Sequence, residues 1–495
     1  MILLNALEVF DNVVDTFNSW VWSPFLVILC LVAALYFSFG TRFVQIRRFR
    51  TMVRLLFSTD KKDKVGITSF QAFALALSGR VGTGNIVGVA TAIGYGGPGA
   101  VVWMWIIAFL GAGSAFAEAT LAQIYKENHN GQYRGGPAFY IEKGLRCKWL
   151  AILFAVVAAI SCGIILPPVQ SNGIAVAFSN TLNIHPAIVG AIVAVLIGLV
   201  IIGGIKRIAD VAQIVAPFMA VVYVLLAIVV LIFNISAVPD AFVSMIKSAF
   251  GVNEAIGGML GSAIAWGVKR GIYSNEAGQG TGPIVAAAAK VSHPVKQGMV
   301  QAFSVYVDTL LVCTATAIMI LACKTFNVYG PSGDIIVKAS NVELGYPDVS
   351  YTIAALATLL GARWSGIIVS ISLFFFAFTT VMAYYYYGET NVVYLFGKGK
   401  RENIIINVMR MLTVFAVFYG SLRDAQTIWT LGDIGVGMMA WINVIAILLL
   451  SKNAFKALRD YEKDEKEGQE PTFNSDELGI KNADFWNSDS KSANC

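Results

Sequence analysis

Along the 495-residue chain, apolar runs of about twenty residues alternate with short clusters of charge or with glycine and proline breaks. As a helix, such a run spans ~30 Å of hydrocarbon. The pattern predicts eleven spans, near 22–40, 67–93, 99–125, 149–178, 187–204, 211–234, 256–289, 298–322, 363–388, 404–421 and 428–450. A membrane β-barrel would instead show ten-residue alternation. The expected fold class is therefore an all-α polytopic membrane protein.

Basic residues fall on alternate connections. Segment 41–66 carries Arg42, Arg47, Arg48, Arg50, Arg54, Lys61, Lys62 and Lys64, and the same side collects Lys126, Arg134, Lys143, Arg146, Lys148, Lys206, Arg207, Lys290, Lys296, Lys398, Lys400 and Arg401. Up to the last span, the opposite side holds only Lys247, Lys324, Lys338 and Arg423. Because cytoplasmic loops retain positive charge, 41–66 is expected inside, with the amino terminus outside and the carboxyl tail inside. The amino terminus has Glu8, Asp11 and Asp15 but no base before Arg42, so it lacks the charged start of a cleavable signal and its span is expected to stay.

Composition agrees: 57% of residues are hydrophobic and 13% charged, with a mean hydropathy of +0.69, whereas soluble chains carry about 25% charged residues. This excludes a cytosolic enzyme and a secreted disulfide scaffold. Six scattered cysteines (Cys30, Cys147, Cys162, Cys313, Cys323, Cys495) and loop histidines (His129, His185, His293) speak against metal or thiol chemistry. The net charge of +6 reads as topology rather than as a nucleic-acid face. From Asp464 onward the tail is rich in Asp, Glu, Asn and Ser and is expected to be a solvated extension. Segment 325–362, with its short apolar run Ile353–Leu360, reads as an extracellular lid or re-entrant piece.

Two spans are interrupted. The second passes through Gly79-Arg80-Val81-Gly82-Thr83-Gly84-Asn85, and the seventh through Ser274-Asn275-Glu276-Ala277-Gly278-Gln279-Gly280-Thr281-Gly282. Backbone released inside a bilayer is tolerated only where protein or a cavity satisfies it. With 1–66 set aside as amino terminus, accessory helix and basic loop, each break lies in the first helix of a five-helix group, 67–234 and 256–450, followed by the tail 451–495. Odd-numbered groups run in opposite senses, which is the pattern of inverted repeats around a midplane site. Close helix packing is the plainer use of such glycines.

The residues Ala76–Ile86, Gly96-Gly97-Pro98-Gly99, Arg134-Gly135-Gly136-Pro137 and Ser274–Gly278 resemble the alanine/glycine:cation symporter family, or sodium:alanine symporters, over about 20–450. The resemblance implies a leucine-transporter-like fold and sodium-coupled uptake of small neutral amino acids, with sodium as coupling ion and no cofactor. Gln279 stands where the family's Asn-Glu-Ala-Gly-x-Gly motif suggests methionine, which leaves alanine, glycine, serine and glutamine open as substrates.

A zwitterion needs donors for its carboxylate and acceptors for its ammonium. Free N–H groups near Thr83 and Gly84 suit the carboxylate, and carbonyls and side chains from Tyr273 through Ser274 and Asn275 to Gly278 suit the ammonium. Gln279 would meet the substrate side chain. Asn85 offers an amide to ion or substrate, or simply bonds between helices, and Gln170 and Asn172 would face the pocket if the fourth span lines it. Thr379 and Thr380 look like the hydroxyl pair of the fold's common sodium site, which by that likeness would take the carbonyls of Ser78 and Val81, with Phe376 in the same turn; back-bonding to their own helix is the alternative. Ionisable residues within spans are functional by default. Here they are Arg80, Glu118, Glu276, Asp308, Lys269 and Arg270, with the last two expected to pair with Glu276 or Asp308. Asp308 remains open between ion ligand and proton acceptor, so a proton-coupled permease of the same fold is the rival. A passive channel would need a continuous polar stripe, and an enzyme a catalytic constellation that the chain lacks.

Overall fold

In the computed structural model, residues 2–57, 65–252, 259–330, 332–339, 346–397 and 402–487 are described, with side chains from Val9 onward. Lys61, Lys62, Lys64, Lys398, Lys400, Arg401 and Cys495 lie outside these residues.

Among the described residues eight helices are long and apolar enough to cross a membrane. The pair Ser69–Arg80 and Gly84–Gly96, bent by 52°, makes up to nine. Two further expected spans correspond to Pro186–Ile201, which is 16 residues long, and to the pair Leu260–Asn275 and Gly282–Ala288, each too short to cross alone. Lipid-facing character is clearest on Gly204–Phe233, where Ile214, Phe218, Val221 and Leu225 are exposed.

Local chemistry sets the ends. Thr68 and Gln71 form a capping box that starts the first broken helix. Proline fills the first turn after Ser23, His185 and His293, where its missing N–H costs nothing. The first broken helix stops when Val81 turns to extended backbone, and the second when Glu276 adopts φ +56°.

The structure adds detail to three expected segments and corrects a fourth. The amino terminus is a helix, Ile2–Val21, tied to the last helix through Trp22 Nε1 to Asp433 O (2.8 Å) and Trp441 Nε1 to Val21 O (2.9 Å). The fourth span carries a π-helical turn at Ser161–Ile165. Segment 325–362 contains a hairpin, Asn327–Tyr329 with Ile335–Lys338, and then the start of a helix, Val349–Phe396, that bends at Gly361 (φ +74°). The tail is docked rather than solvated: Phe473, Ile480 and Trp486 are buried, Trp486 Nε1 donates to Gln123 O (2.7 Å), and Lys126 Nζ sits 4.5–5.1 Å from the rings of Tyr133, Phe485 and Trp486. Sparse aromatics, weak in a composition average, suffice because they insert together and cover the lysine. Lys126 also donates to Ala289 O (3.0 Å), next to a bridge joining Ile67 to the end of the second broken helix.

His293 lies under this tail, fully buried, with Nε2 3.4 Å from Asp460 Oδ2 and its ring against Tyr461 and Phe473. Burial lowers its pKa below the ordinary 6.5, opposed by Asp460 and Asp464, while Lys296 adds to the lowering. A depressed histidine contributes stability above its unfolded pKa and loses it as pH falls toward the folded value, because the unfolded state then binds more protons. The thermal midpoint in detergent is therefore expected to drop on acidification from pH 7 to 5, and His293→Gln to flatten that dependence. Equal pH profiles for the two proteins would contradict this.

Candidate substrate and ion site

The two breaks meet at Asp308, which sits in a π-helical stretch, Tyr306–Cys313, following Pro294–Val305. Asn85 Nδ2, from the first break, donates to Asp308 Oδ1 (2.6 Å). Ser274 Oγ, from the second, lies 2.9 Å from Oδ2 and 3.1 Å from Oδ1, and Thr309 Oγ1 donates to Oδ2 (2.6 Å). All four residues are buried, and among the described residues no lysine, arginine or histidine forms an ion pair with this carboxylate. A buried carboxylate held only by neutral donors strongly favours a cation or a proton beside it. Asn85 Oδ1 also accepts Gly82 N (2.8 Å), closing the first break on itself.

A second oxygen cluster surrounds Thr380. Its Oγ1 lies 2.7 Å from Ser78 O, 3.2 Å from Val81 O and 3.0 Å from Phe376 O. One hydroxyl hydrogen serves one carbonyl well, so the remaining oxygens converge without a donor from Thr380. Gly82 permits this approach: a Cβ there would lie 2.5 Å from Thr380 Oγ1 and 2.7 Å from Gln170 Oε1. Thr379 is turned away, its hydroxyl donating to Phe375 O and Phe376 O of its own helix (3.1 and 3.0 Å).

Other expected residues are placed differently. Thr83 N donates to Gln170 Oε1 (3.0 Å), so Gln170 occupies the donor expected for a carboxylate. A Cβ on Gly84 would face Tyr273 Cδ1 at 3.3 Å, between the breaks rather than over open space. Asn172 does not reach the site: its Nδ2 donates to Gly420 O (3.1 Å) and Arg423 O (2.8 Å). Two residues apart on a helix is a rotation of about 200°, so Gln170 and Asn172 cannot face one pocket. Lys269 and Arg270 pair with Asp433 (2.6 and 2.7 Å), not with Glu276 or Asp308. They precede Glu276 by six or seven residues, about 10 Å along the axis.

The second break is held mainly by backbone contacts. Arg80 Nε donates to Asn275 O (2.6 Å), and its Nη1 reaches Gln301 and Ser304. Glu118 Oε1 accepts Gly278 N (3.2 Å), while Asn443 Nδ2 donates to Glu118 Oε2 (2.8 Å) and Gly278 O (2.9 Å). Glu276 Oε2 accepts from Tyr387 (3.4 Å), and Asn275 Oδ1 accepts Ala277 N (2.9 Å). Gln279 is buried with no partner for either side-chain atom, and Thr83 Oγ1 and Asn275 Nδ2 are likewise unpartnered. Buried polar atoms left open are costly unless something fills them. Asn443, Gln301, Ser304 and Asp433 were not singled out from the sequence, although each is a polar residue inside a predicted span.

The chain matches the family described as the sodium:alanine symporter family over residues 7–475. It is 48% identical over 442 residues to the sodium/proton-dependent alanine carrier protein of Bacillus sp. (strain PS3), covering 88% of this chain and 97% of that one. It is 38% identical over 450 residues to the sodium/alanine symporter AgcS of Methanococcus maripaludis, covering 89% and 95%. Its fold matches a crystal structure of MhsT in complex with L-phenylalanine at a TM-score of 0.53 and 13% identity, over 79% of this chain and all of that one.

Proposed function

This chain belongs to the sodium:alanine symporter family, and we propose from that premise that it couples sodium influx to the uptake of alanine and glycine by alternating access. It is a multi-pass membrane transporter of amino acids with a cation, not an enzyme. The reading of its site rests on one observation, the buried carboxylate of Asp308 joining Asn85 to Ser274 across the two breaks. In this reading Asp308, Asn85 and Ser274 hold one coupling cation, and Thr380 with the carbonyls of Ser78, Val81 and Phe376 holds sodium. The substrate lies between the breaks, near Thr83, Gly84, Asn275, Gly278 and Gln279, where the unpartnered Thr83 Oγ1, Asn275 Nδ2 and Gln279 amide suit a zwitterion and leave room for serine or glutamine. Glu118, Glu276 and Arg80 keep the second break in shape. Groups 67–234 and 256–450 act as inverted repeats, with the amino terminus outside and the tail inside. Proton coupling at Asp308 is the second reading, favoured by a relative whose name includes the proton.

Purified protein in liposomes separates these readings. An inward sodium gradient is expected to drive alanine accumulation without any proton gradient. Full uptake in sodium-free buffer under a proton gradient alone would overturn the sodium reading.

A further inference from the structure

Asp308 and Cys313 are five residues apart, which on an α-helix would turn one about 140° away from the other. Here both lie in the π-helical stretch Tyr306–Cys313, whose i→i+5 hydrogen bonds bring residues five apart back toward one face. The widened stretch therefore presents the buried thiol of Cys313 to the carboxylate that joins the two breaks. Its Sγ lies 3.2 Å from Asn85 Nδ2 of the first break and 3.2 Å from Ser274 Oγ of the second. These are the same two groups that hold Asp308. The four side chains close a ring in the order Asn85, Asp308, Ser274 and Cys313.

Hydrogens in this ring are limited. The Asn85 amide has two, one for Asp308 Oδ1 and one for Sγ, whereas the Ser274 hydroxyl has one hydrogen and two acceptors in reach, Asp308 and Sγ. A cation bound to Ser274 Oγ repels that hydrogen, which must then leave Asp308 for another acceptor. We propose that Cys313 is a positioning residue for the coupling cation: its Sγ takes the Ser274 hydrogen when the cation arrives, and its own hydrogen turns to Ser274 Oγ when the cation leaves. This role rests on the reading above of Asp308, Asn85 and Ser274 as a cation site, and Cys313 acts through Ser274 rather than on the ion. A thiol is a weak donor and a weak acceptor, which suits a bond that must reverse in every cycle. A hydroxyl in its place keeps the switch. A methyl group removes it and leaves the Ser274 hydrogen without its second acceptor.

The test pairs sodium titrations of alanine uptake into liposomes with infrared spectra of the purified full-length protein. Cys313→Ala is expected to raise the sodium concentration for half-maximal uptake about fivefold, the worth of one ordinary hydrogen bond. Cys313→Ser is expected to stay within about twofold of wild type, and the alanine KM at saturating sodium to be unchanged in both. The S–H stretching band that Cys313→Ser removes is expected to shift when sodium replaces choline around the wild-type protein. A packing role would not move that band, and it decides the matter even if Cys313→Ala does not fold. A band that sodium leaves in place, or a folded Cys313→Ala protein with the wild-type sodium titration, overturns the proposal. Asp308→Ala, titrated alongside, judges the cation site separately: if it too keeps the wild-type sodium dependence, the cation is held elsewhere and both readings fall.

Discussion

Asp308→Ala is expected to lower sodium-driven alanine uptake at least ~100-fold in a protein that still inserts and folds, on the scale of ~3 kcal/mol. Three donors converge on this carboxylate, from Asn85 (2.6 Å), Ser274 (2.9 Å) and Thr309 (2.6 Å). Removing the acceptor leaves them buried and unpaired, at about 1–3 kcal/mol each. The two breaks lose their shared anchor, and a cation held between them loses the anionic group that offsets its charge. Asp308→Asn separates these effects. It keeps the volume but replaces a charged acceptor with a neutral amide, so stability is expected near wild type while cation dependence is lost. Uptake into liposomes and the net charge moved per alanine, read as current, are the measurements. A folded Asp308→Ala protein within threefold of wild type would sink the assignment of this carboxylate to the coupling site.

The breaks were legible because glycine clusters and polar side chains are conspicuous inside otherwise unbroken apolar runs, and Thr380 was legible through its likeness to a known hydroxyl pair. Partners distant in the chain were not. Arg270 and Asp433 are 163 residues apart, and Asn443 reaches Gly278 across 165. A single sequence carries no signal of such pairings. It shows only that a charge within a span needs a partner, and here that partner is Asp433 in the last span rather than Glu276 or Asp308. Asn172 was misplaced through proximity to Gln170, though helical geometry alone separates them. The docked tail escaped because polarity averaged over 464–495 hides a few aromatics, and those aromatics decide its fate once they meet Lys126 and the buried ring of His293.

The threonine pair yields the second large effect, and it distinguishes two adjacent hydroxyls. Thr380→Ala is expected to raise the sodium concentration for half-maximal uptake at least ~10-fold, whereas Thr379→Ala changes it by no more than about twofold. Thr380 Oγ1 meets Ser78 O and Val81 O of the first break as well as Phe376 O, so it stands in a ring of neutral oxygens of the kind a hard cation prefers. Deleting it takes away one oxygen of that ring and leaves a gap against Gly82, the residue whose missing side chain lets the helices approach. Thr379 spends its hydrogen on carbonyls of its own helix, a bond that a membrane helix can lose at small cost. Thr380→Ser, which keeps the oxygen and drops a methyl group, should restore most of the sodium affinity. Sodium titrations of alanine uptake on the three variants decide the matter. Equal shifts for Thr379→Ala and Thr380→Ala, or no rescue by serine, would mean that the helix needs this turn for packing and that sodium is held elsewhere.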